Sequence, residues 1–369
     1  MSQAPDEPLQ QETVPEKEKD LKRDFNPRRI YFFVALGLIF SAWLIYRSFD
    51  YEELSKINWN SKTIFWIFLG FCMIAIRHAG MIWRLNVLSD HKLSTKHSFQ
   101  AITLWMFSSM VTPSTIGGAA VAMYILRKEK LSMGKSVSTS MTTIFFDQLF
   151  LAIIVPIFLL IIGGHHMFAE GLDCSSKTNL PGMHLFHSVR EVFFILYFFF
   201  LGVILLLGYG LFFNANSLRS LIVGFCNIPG FRKWKNAARK TGDEILIASE
   251  EMRSKKGGYW VKVGVSTSIS WLAFFFIPVC LVLAFYDTSW SSIPIIYGRQ
   301  FVIWMIMLIP ATPGSIGIAE LSFSAMMCDV TSPGFVPQIA LLWRIITYYP
   351  YLVAGNIILS RWMKRVYNG

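Results

Sequence analysis

The sequence predicts an all-α polytopic membrane protein with six full transmembrane helices and two re-entrant helical hairpins in an inverted-topology repeat. The chain is 54% hydrophobic and only 15% charged, whereas soluble domains carry roughly 25% charged residues. Its mean hydropathy is +0.47. Two similar motifs, TPSTIGGA at 112–119 and TPGSIGIA at 312–319, lie 200 positions apart, each inside a long apolar run.

Six apolar runs have about the length of one crossing, since roughly 20 apolar residues span a ~30 Å hydrocarbon core. They lie at 30–46, 63–83, 137–163, 190–213, 260–286 and 336–360. Two further runs, 98–126 and 293–327, carry Thr-Pro near their middle. Because Pro lacks an N–H and Gly weakens a helix, each of these two runs is predicted to be a pair of half-helices.

The distribution of Lys and Arg distinguishes a hairpin from a kinked crossing. Both flanks of 98–126 are basic, whereas 287–292 and 328–335, which flank the second broken run, contain neither Lys nor Arg. Positive residues accumulate in cytoplasmic loops, so the two hairpins are predicted to enter from opposite faces. This topology places 25 of the 34 Lys and Arg inside, five outside and four within the runs. Both termini are therefore expected in the cytoplasm, and the location is predicted to be the bacterial cytoplasmic membrane.

The predicted organisation divides the chain into two repeats joined by an external loop. Its parts are a disordered cytoplasmic tail at 1–29, a first repeat at 30–163, an external loop at 164–189, a second repeat at 190–361 with a basic cytoplasmic loop at 214–259, and a short cytoplasmic tail at 362–369. Paired inverted repeats with broken helices are typical of alternating-access transporters.

The net charge of +11 is explained by these loops, so nucleic acid is not expected as a partner. Within the basic loop, residues 236–256 place Ala238, Ile245, Ala248 and Met252 on one helical face. Such a helix is expected to lie on anionic inner-leaflet lipids, or to be a solvated connector. Cys174 and Cys328 both fall outside in this topology, where a disulfide is geometrically possible although nothing in the sequence requires one. A homo-oligomer is compatible with the sequence.

Four charged residues inside apolar runs are candidate functional residues, because an intramembrane charge costs roughly 2.5–3.5 kcal/mol on insertion scales. They are Arg77, Asp147, Glu320 and Arg344. Either the opposite charges pair or a polar cavity solvates them, and the sequence leaves both open. Asp147 is equally interpretable as a structural partner of Arg77 or Arg344.

The half-helix N-termini at the two breaks are predicted to attract an anion such as a phosphate, since they expose unpaired N–H groups and the positive end of the helix dipole. The candidate binding residues there are Thr112, Pro113, Gly117, Gly118, Thr312, Pro313, Gly314 and Gly317. Alternatively, the glycines permit close helix packing. The sequence contains no recognisable catalytic motif, metal-ligand spacing or cofactor fingerprint, so neither an enzyme nor a cofactor is predicted.

Four segments together resemble one known family. They are TPSTIGGAAVAMYILRK from Thr112, FFDQLF from Phe145, TPGSIGIAE from Thr312 and LLWRIITYYPYLVAG from Leu341. They are similar to the flippase-like integral membrane family named for the transmembrane region of lysylphosphatidylglycerol synthase, over about residues 30–361. The resemblance implies lipid translocation, with Pro313, Gly314, Gly317, Glu320 and Arg344 at family positions. The protein is expected to be a free-standing translocator without a synthase domain.

One departure from the family bears on the substrate. Many relatives have a Glu and an Arg shortly after the first Gly pair, whereas this chain has Ala119, Ala120, Val121 and Ala122. The departure argues against an aminoacyl-phospholipid and for another modified or polyprenyl-linked lipid. The leading hypothesis is a translocator of a phosphate-bearing membrane lipid. An ion-coupled transporter of a small solute and an accessory protein of envelope assembly remain alternatives.

Overall fold

Every regular element of the described part of the chain is helical. The computed structural model describes residue 46 and residues 59–111, 115–169, 189–225, 235–309, 313–332 and 334–368. The α-helices are α1 Ser61–Leu88, α2 Thr95–Val111, α3 Thr115–Lys128, α4 Met133–Met167, α5 Val189–Gly208, α6 Ala215–Phe225, α7 Lys235–Arg253, α8 Gly257–Phe285, α9 Ser292–Met307, α10 Ile318–Met327, α11 Val336–Thr347 and α12 Tyr349–Asn368. A π-helical segment, Tyr209–Phe213, extends α5, and a 3₁₀ turn, Pro313–Ser315, precedes α10.

Within these ranges, four helices are long and apolar enough to cross a membrane: α1, α4, α5 with its π-helical extension, and α8. They correspond to four of the six predicted crossings. The predicted crossing at 30–46 and the tail at 1–29 lie outside the described residues. The several apolar helices confirm a multi-pass membrane protein.

The predicted single crossing at 336–360 is wrong in one respect, because the structure contains two helices there. α11 and α12 are separated at Tyr348, whose φ and ψ are −112° and −57°. Pro350 explains the break, since it has no N–H to donate and its ring clashes with the carbonyl four residues earlier. The helix α1 extends beyond the apolar run 63–83 to Leu88, so Arg84 is a helical residue.

The antiparallel pair α1 and α8 forms the centre of the fold. Thr63 at the start of α1 donates to the Ala284 carbonyl at the end of α8, with 2.9 Å between Oγ1 and O. Midway, a Cβ added to Gly80 would lie 2.4 Å from Ser270 Oγ, so small residues let the two backbones approach closely. We name the two ends of this pair by nearby residues: the Asp287 end, where Lys62 contacts Asp287 at 2.5 Å, and the Asp90 end, just beyond Leu88.

α2 and α3 form an antiparallel hairpin that opens at the Asp90 end. His97 Nδ1 lies 3.2 Å from Glu129 Oε2 at the open end. Near the apex, a Cβ added to Gly118 would lie 3.1 Å from the Ser109 Cα. The open end is fixed to α12, because Trp362 donates its indole N–H to Glu129 Oε1 at 2.7 Å.

α9 and α10 form a second hairpin, which opens at the Asp287 end. Arg299 of α9 donates to the Met326 carbonyl at 2.7 Å. At the apex, Ser315 Oγ donates to the Met307 carbonyl at 2.8 Å. The two hairpins therefore open at opposite ends of the α1 and α8 pair. Their tips meet in one apolar cluster, in which Phe107 packs with Ile316.

The amphipathic helix predicted at 236–256 is observed as α7, and all four residues of its predicted apolar face are buried. Ile245, Ala248 and Met252 pack with Val137 of α4 and Leu218 of α6. Protein therefore covers the face that was expected to lie on lipid or in solvent. Contact between the basic loop and anionic lipids stays a prediction.

The α7 helix is also held by charges at the Asp90 end. Lys135, almost fully buried, contacts Asp90 Oδ2 at 2.5 Å and Glu251 Oε1 at 3.0 Å through Nζ. Lys255 contacts the same Asp90 oxygen at 2.8 Å. The hydrogen bond from Lys135 holds the pKa of Glu251 below its usual value, against the opposing effect of burial.

Candidate functional site

Four arginines of the membrane helices are buried, each at most 8% exposed: Arg77, Arg84, Arg299 and Arg344. The last three each contact a carboxylate within the described residues. Arg77 does not. Because breaking a buried ion pair costs several kcal/mol, the three pairs are needed for the stability of the fold. The burial of Arg77 requires a different explanation.

Asp147 is paired with Arg84, not with the Arg77 or Arg344 that the sequence suggested. Arg84 Nη1 lies 2.5 Å from Asp147 Oδ1 and Nη2 lies 3.3 Å from Oδ2. Trp271 donates its indole N–H to the same Oδ1 at 2.7 Å. Thr267 accepts a further hydrogen bond from Arg84 at 3.1 Å. These contacts join α1, α4 and α8 around one carboxylate.

Arg344 and Glu320 form a pair at the second break. Arg344 Nε lies 3.3 Å from Glu320 Oε1, and Nη2 donates to the Gly314 carbonyl at 2.8 Å. The Gly314 φ of +62° is a left-handed conformation, and a Cβ there would lie 2.4 Å from the Tyr348 ring. Only glycine suits both conditions. The sequence left open whether these opposite charges pair or are solvated by a polar cavity. In the structure, Arg344 and Glu320 pair directly.

Glu320 also caps its own helix. The Gly317 backbone N–H donates to Glu320 Oε2 at 2.7 Å. One N–H group at the α10 N-terminus is therefore already bonded, and a carboxylate occupies the region where the sequence predicted an external anion. This arrangement makes the α10 N-terminus a poorer phosphate site than the dipole argument suggested.

Arg299 was not among the predicted functional residues. Its side chain links several helices at the Asp287 end. Its guanidinium forms a two-point contact with Asp329, with 2.9 Å between Nη2 and Oδ2. Nε donates to the His166 carbonyl at the end of α4, also at 2.9 Å. These contacts tie α4 to both arms of the second hairpin. Close by, Cys328 is disulfide-bonded, and the predicted pairing with Cys174 stays a prediction because Cys174 and Cys226 both lie outside the described residues.

Arg77 lies against aromatic rings instead of a carboxylate. Its Cζ is 3.8 Å from the centroid of Phe274 and 4.9 Å from that of Trp271, and the Tyr351 hydroxyl interacts with the guanidinium. Its Nη1 is buried and has no hydrogen-bond partner among the described residues. Desolvated cation–π contacts contribute roughly 2 kcal/mol, which offsets much of the insertion cost without neutralising the charge.

A second unpartnered donor lies beside the same rings. The centroid of Trp304 is 4.9 Å from that of Trp271 and 5.7 Å from that of Phe274. Its indole N–H is buried and, within the described part of the chain, has no acceptor. Two N–H donors near one aromatic cluster, one of them cationic, favour an anionic hydrogen-bond acceptor.

The structure brings only some of the predicted site residues together. Arg77 and Asp147 share contacts with Trp271, and Arg344, Glu320 and Gly314 form the second cluster. Thr112, Pro113 and Thr312 lie outside the described residues. At Gly117 and Pro313 the structure describes the backbone only. Gly118 serves close packing within the first hairpin, and Gly317 precedes α10 with a φ of +86°.

The contact between the hairpin tips is apolar where it is described. Phe107, Ile316, Tyr348 and Leu352 form an apolar cluster there, whereas Thr112, Pro113 and Thr312 of the two Thr-Pro motifs lie outside the described residues. Two of the buried donors without a described partner, Arg77 Nη1 on α1 and Trp304 Nε1 on α9, lie instead against Trp271 and Phe274 of α8. No three metal-ligating side chains come close enough to hold an ion within the described ranges.

This geometry defines a helical, multi-pass membrane protein with two opposed helical hairpins and an interior arginine that contacts no carboxylate of the described residues. The family model for the lysylphosphatidylglycerol synthase TM region matches residues 34–355. The chain therefore belongs to that family, as its motifs suggested. It is also 24% identical over 335 residues to a UPF0104 membrane protein of Archaeoglobus fulgidus, which covers 87% of this chain and 94% of the relative. No solved structure matches significantly.

Proposed function

We propose that this protein is a flippase or translocator that moves a phosphate-bearing lipid between the leaflets of the membrane. The observation that carries the proposal is Arg77, a buried cation with a hydrogen-bond donor that no described residue satisfies. An unsatisfied buried donor is costly, more so when charged. A phosphate that binds during transport would both neutralise the charge and accept the hydrogen bond.

The opposed hairpins support transport as the class of function. They open at opposite ends of the central helix pair, which fits two re-entrant elements of an inverted repeat. We place the Asp90 end in the cytoplasm, together with both termini, because the basic loops cluster there. The disulfide of Cys328 at the other end fits an oxidising exterior. The proposed location is the bacterial cytoplasmic membrane.

The described charges favour a simple anionic head group over an aminoacyl one. A cationic aminoacyl group in the membrane interior would need a carboxylate partner. Asp147, Glu320 and Asp329 are each already bound by an arginine. None of these three carboxylates is free, so among the buried arginines of the described residues Arg77 is the one without a carboxylate partner. A phospholipid or polyprenyl-linked phosphate fits that balance better than lysyl-phosphatidylglycerol.

Mass spectrometry of co-purified lipid tests this proposal. We expect wild-type protein to retain a phosphate-bearing lipid, and Arg77→Gln to retain about ten- to a hundredfold less, since a hydrogen bond to a charged group contributes about 1.5–3 kcal/mol. Arg77→Lys, which keeps the charge but not the planar stack, should lie between them. Arg219→Gln, at an exposed arginine, is the control. Equal retention by wild type and Arg77→Gln would contradict the proposal.

A further inference from the structure

An apolar groove separates α4 from α8 on the outer face of the helix bundle. Its volume is about 270 Å³, and its lining includes Leu149, Phe150, Ile153, Gly264, Thr267 and Leu272. Ile153 is 55% exposed and Leu272 is 42% exposed. Since both helices have membrane length and hydropathy, the groove opens at the level of the hydrocarbon core.

The inner wall of the groove touches the charged cluster in two places. Thr267, which lines the groove, accepts a hydrogen bond from Arg84. Phe150, also in the lining, stacks on Trp271 with 6.4 Å between centroids and 12° between planes. The same Trp271 ring lies 4.9 Å from the Arg77 guanidinium. One aromatic side chain therefore connects the apolar groove with the unpaired interior cation.

We infer that this groove holds one acyl chain of the transported lipid while its phosphate approaches Arg77. The inference rests on the proposed function and adds the path by which the lipid enters, laterally between α4 and α8. A phospholipid carries an apolar chain and an anionic phosphate a short distance apart, which is the pairing that Phe150, Trp271 and Arg77 offer. The volume is below the roughly 300–1,000 Å³ of pockets that enclose a whole ligand, so it suits part of a lipid.

Gly264 allows the groove to be filled without disturbing the helix contact. A Cβ added there would lie 3.8 Å from Phe146 Cε1, an ordinary van der Waals distance. Gly264→Leu should therefore occupy the space of the chain. Gly202→Leu on α5 is the matched control, because a Cβ at Gly202 meets nothing within 4 Å.

The test is photolabelling in vesicles that contain a phospholipid with a diazirine on its acyl chain, followed by mass-spectrometric mapping. We expect label on the groove-lining residues of α4 and α8 in wild-type protein and in Gly202→Leu. In Gly264→Leu, that label should fall about tenfold or more, because the added side chain excludes the lipid chain. Equal groove labelling in Gly264→Leu and wild type would overturn the inference.

The wild-type map is decisive even if Gly264→Leu fails to fold. Groove labelling no stronger than that of the exposed α5 residues Ile195 and Phe199 would overturn the inference, as would a groove filled by residues 30–58 or by a second copy of the chain, detected by cross-linking. Leaflet exchange is measured on the same vesicles. Exchange without specific groove labelling would reject the groove alone, whereas labelling without exchange would reject the proposed function alone.

Discussion

Replacing Asp147 by Asn tests whether its pair with Arg84 holds the helix bundle together. The carboxylate accepts two hydrogen bonds from Arg84 and one from Trp271. The Arg84 side chain is 5% exposed and that of Asp147 is 23% exposed. Asn keeps the shape and one acceptor oxygen but leaves Arg84 without a counter-charge, close to the second buried cation, Arg77.

The magnitude follows from the burial. Removing one partner of a buried ion pair costs about 3–5 kcal/mol, and because Asp147 is partly exposed we expect about 3 kcal/mol. Asp243→Asn is the matched control, because Asp243 pairs with Arg219 at the surface, where their side chains are 53% and 43% exposed, respectively. Exposed pairs contribute about 0–1 kcal/mol. The double variant Arg84→Met with Asp147→Leu should recover most of the loss, because an apolar replacement of both partners is often neutral.

The assay is the free energy of unfolding in mixed micelles titrated with a denaturing detergent. The reasoning predicts a large loss for Asp147→Asn, a small loss for Asp243→Asn and recovery in the double variant. It is refuted if the Asp147 and Asp243 variants lose the same small amount, or if the double variant is less stable than Asp147→Asn.

Two further predictions concern the first hairpin and the cytoplasmic helix. Gly118→Leu should destabilise the protein by about 1–3 kcal/mol or more, because a Cβ there would lie 2.1 Å from Ser109 Oγ. In the same detergent titration, the control Gly202→Leu should stay within about 0.5 kcal/mol of wild type. Equal effects of the two variants would contradict the close packing of the first hairpin. Protection of α7 against amide exchange, corrected for intrinsic rates, should hold from pH 7 to about 5 and be lost below about pH 4. A carboxylate with a lowered pKa stabilises above its unfolded pKa and ceases to do so as it is protonated, so Glu251→Gln should weaken that acid transition, and an unchanged transition would contradict it.

The sequence was sufficient for the four long membrane helices of the described residues and for the two helix pairs that open at opposite ends of the α1 and α8 pair. Length and hydropathy define membrane helices because a bilayer has a fixed thickness, and the charge asymmetry of the loops indicates from which side each broken run starts. The break at Tyr348 was predictable in principle, since Pro350 is visible in the sequence, but a single Pro is often tolerated inside a membrane helix. α4 and α8 show this tolerance at Pro156 and Pro278.

The partners of the interior charges could not be predicted in the same way. A sequence gives the depth of a residue in its helix but not which neighbouring helix its side chain meets. The sequence alone therefore suits Asp147 equally to Arg77 or Arg344, and it does not distinguish a helical Arg84 from a loop residue at the boundary of an apolar run. Trp304 gave no signal, since an apolar helix commonly contains tryptophan, and its unpartnered N–H is visible only in three dimensions.

Leaflet exchange in vesicles reconstituted with the wild-type protein is the most direct test of the central claim that Arg77 receives the phosphate of a lipid in transit. The measurement compares a phosphatidylglycerol analogue with an uncharged glycolipid of the same acyl chains, using wild-type protein and Arg77→Gln. We predict accelerated exchange of the phosphate-bearing lipid by wild-type protein, slower exchange by Arg77→Gln, and little acceleration of the glycolipid. Equal exchange of both lipids, or an Arg77→Gln variant as fast as wild type, would contradict the claim.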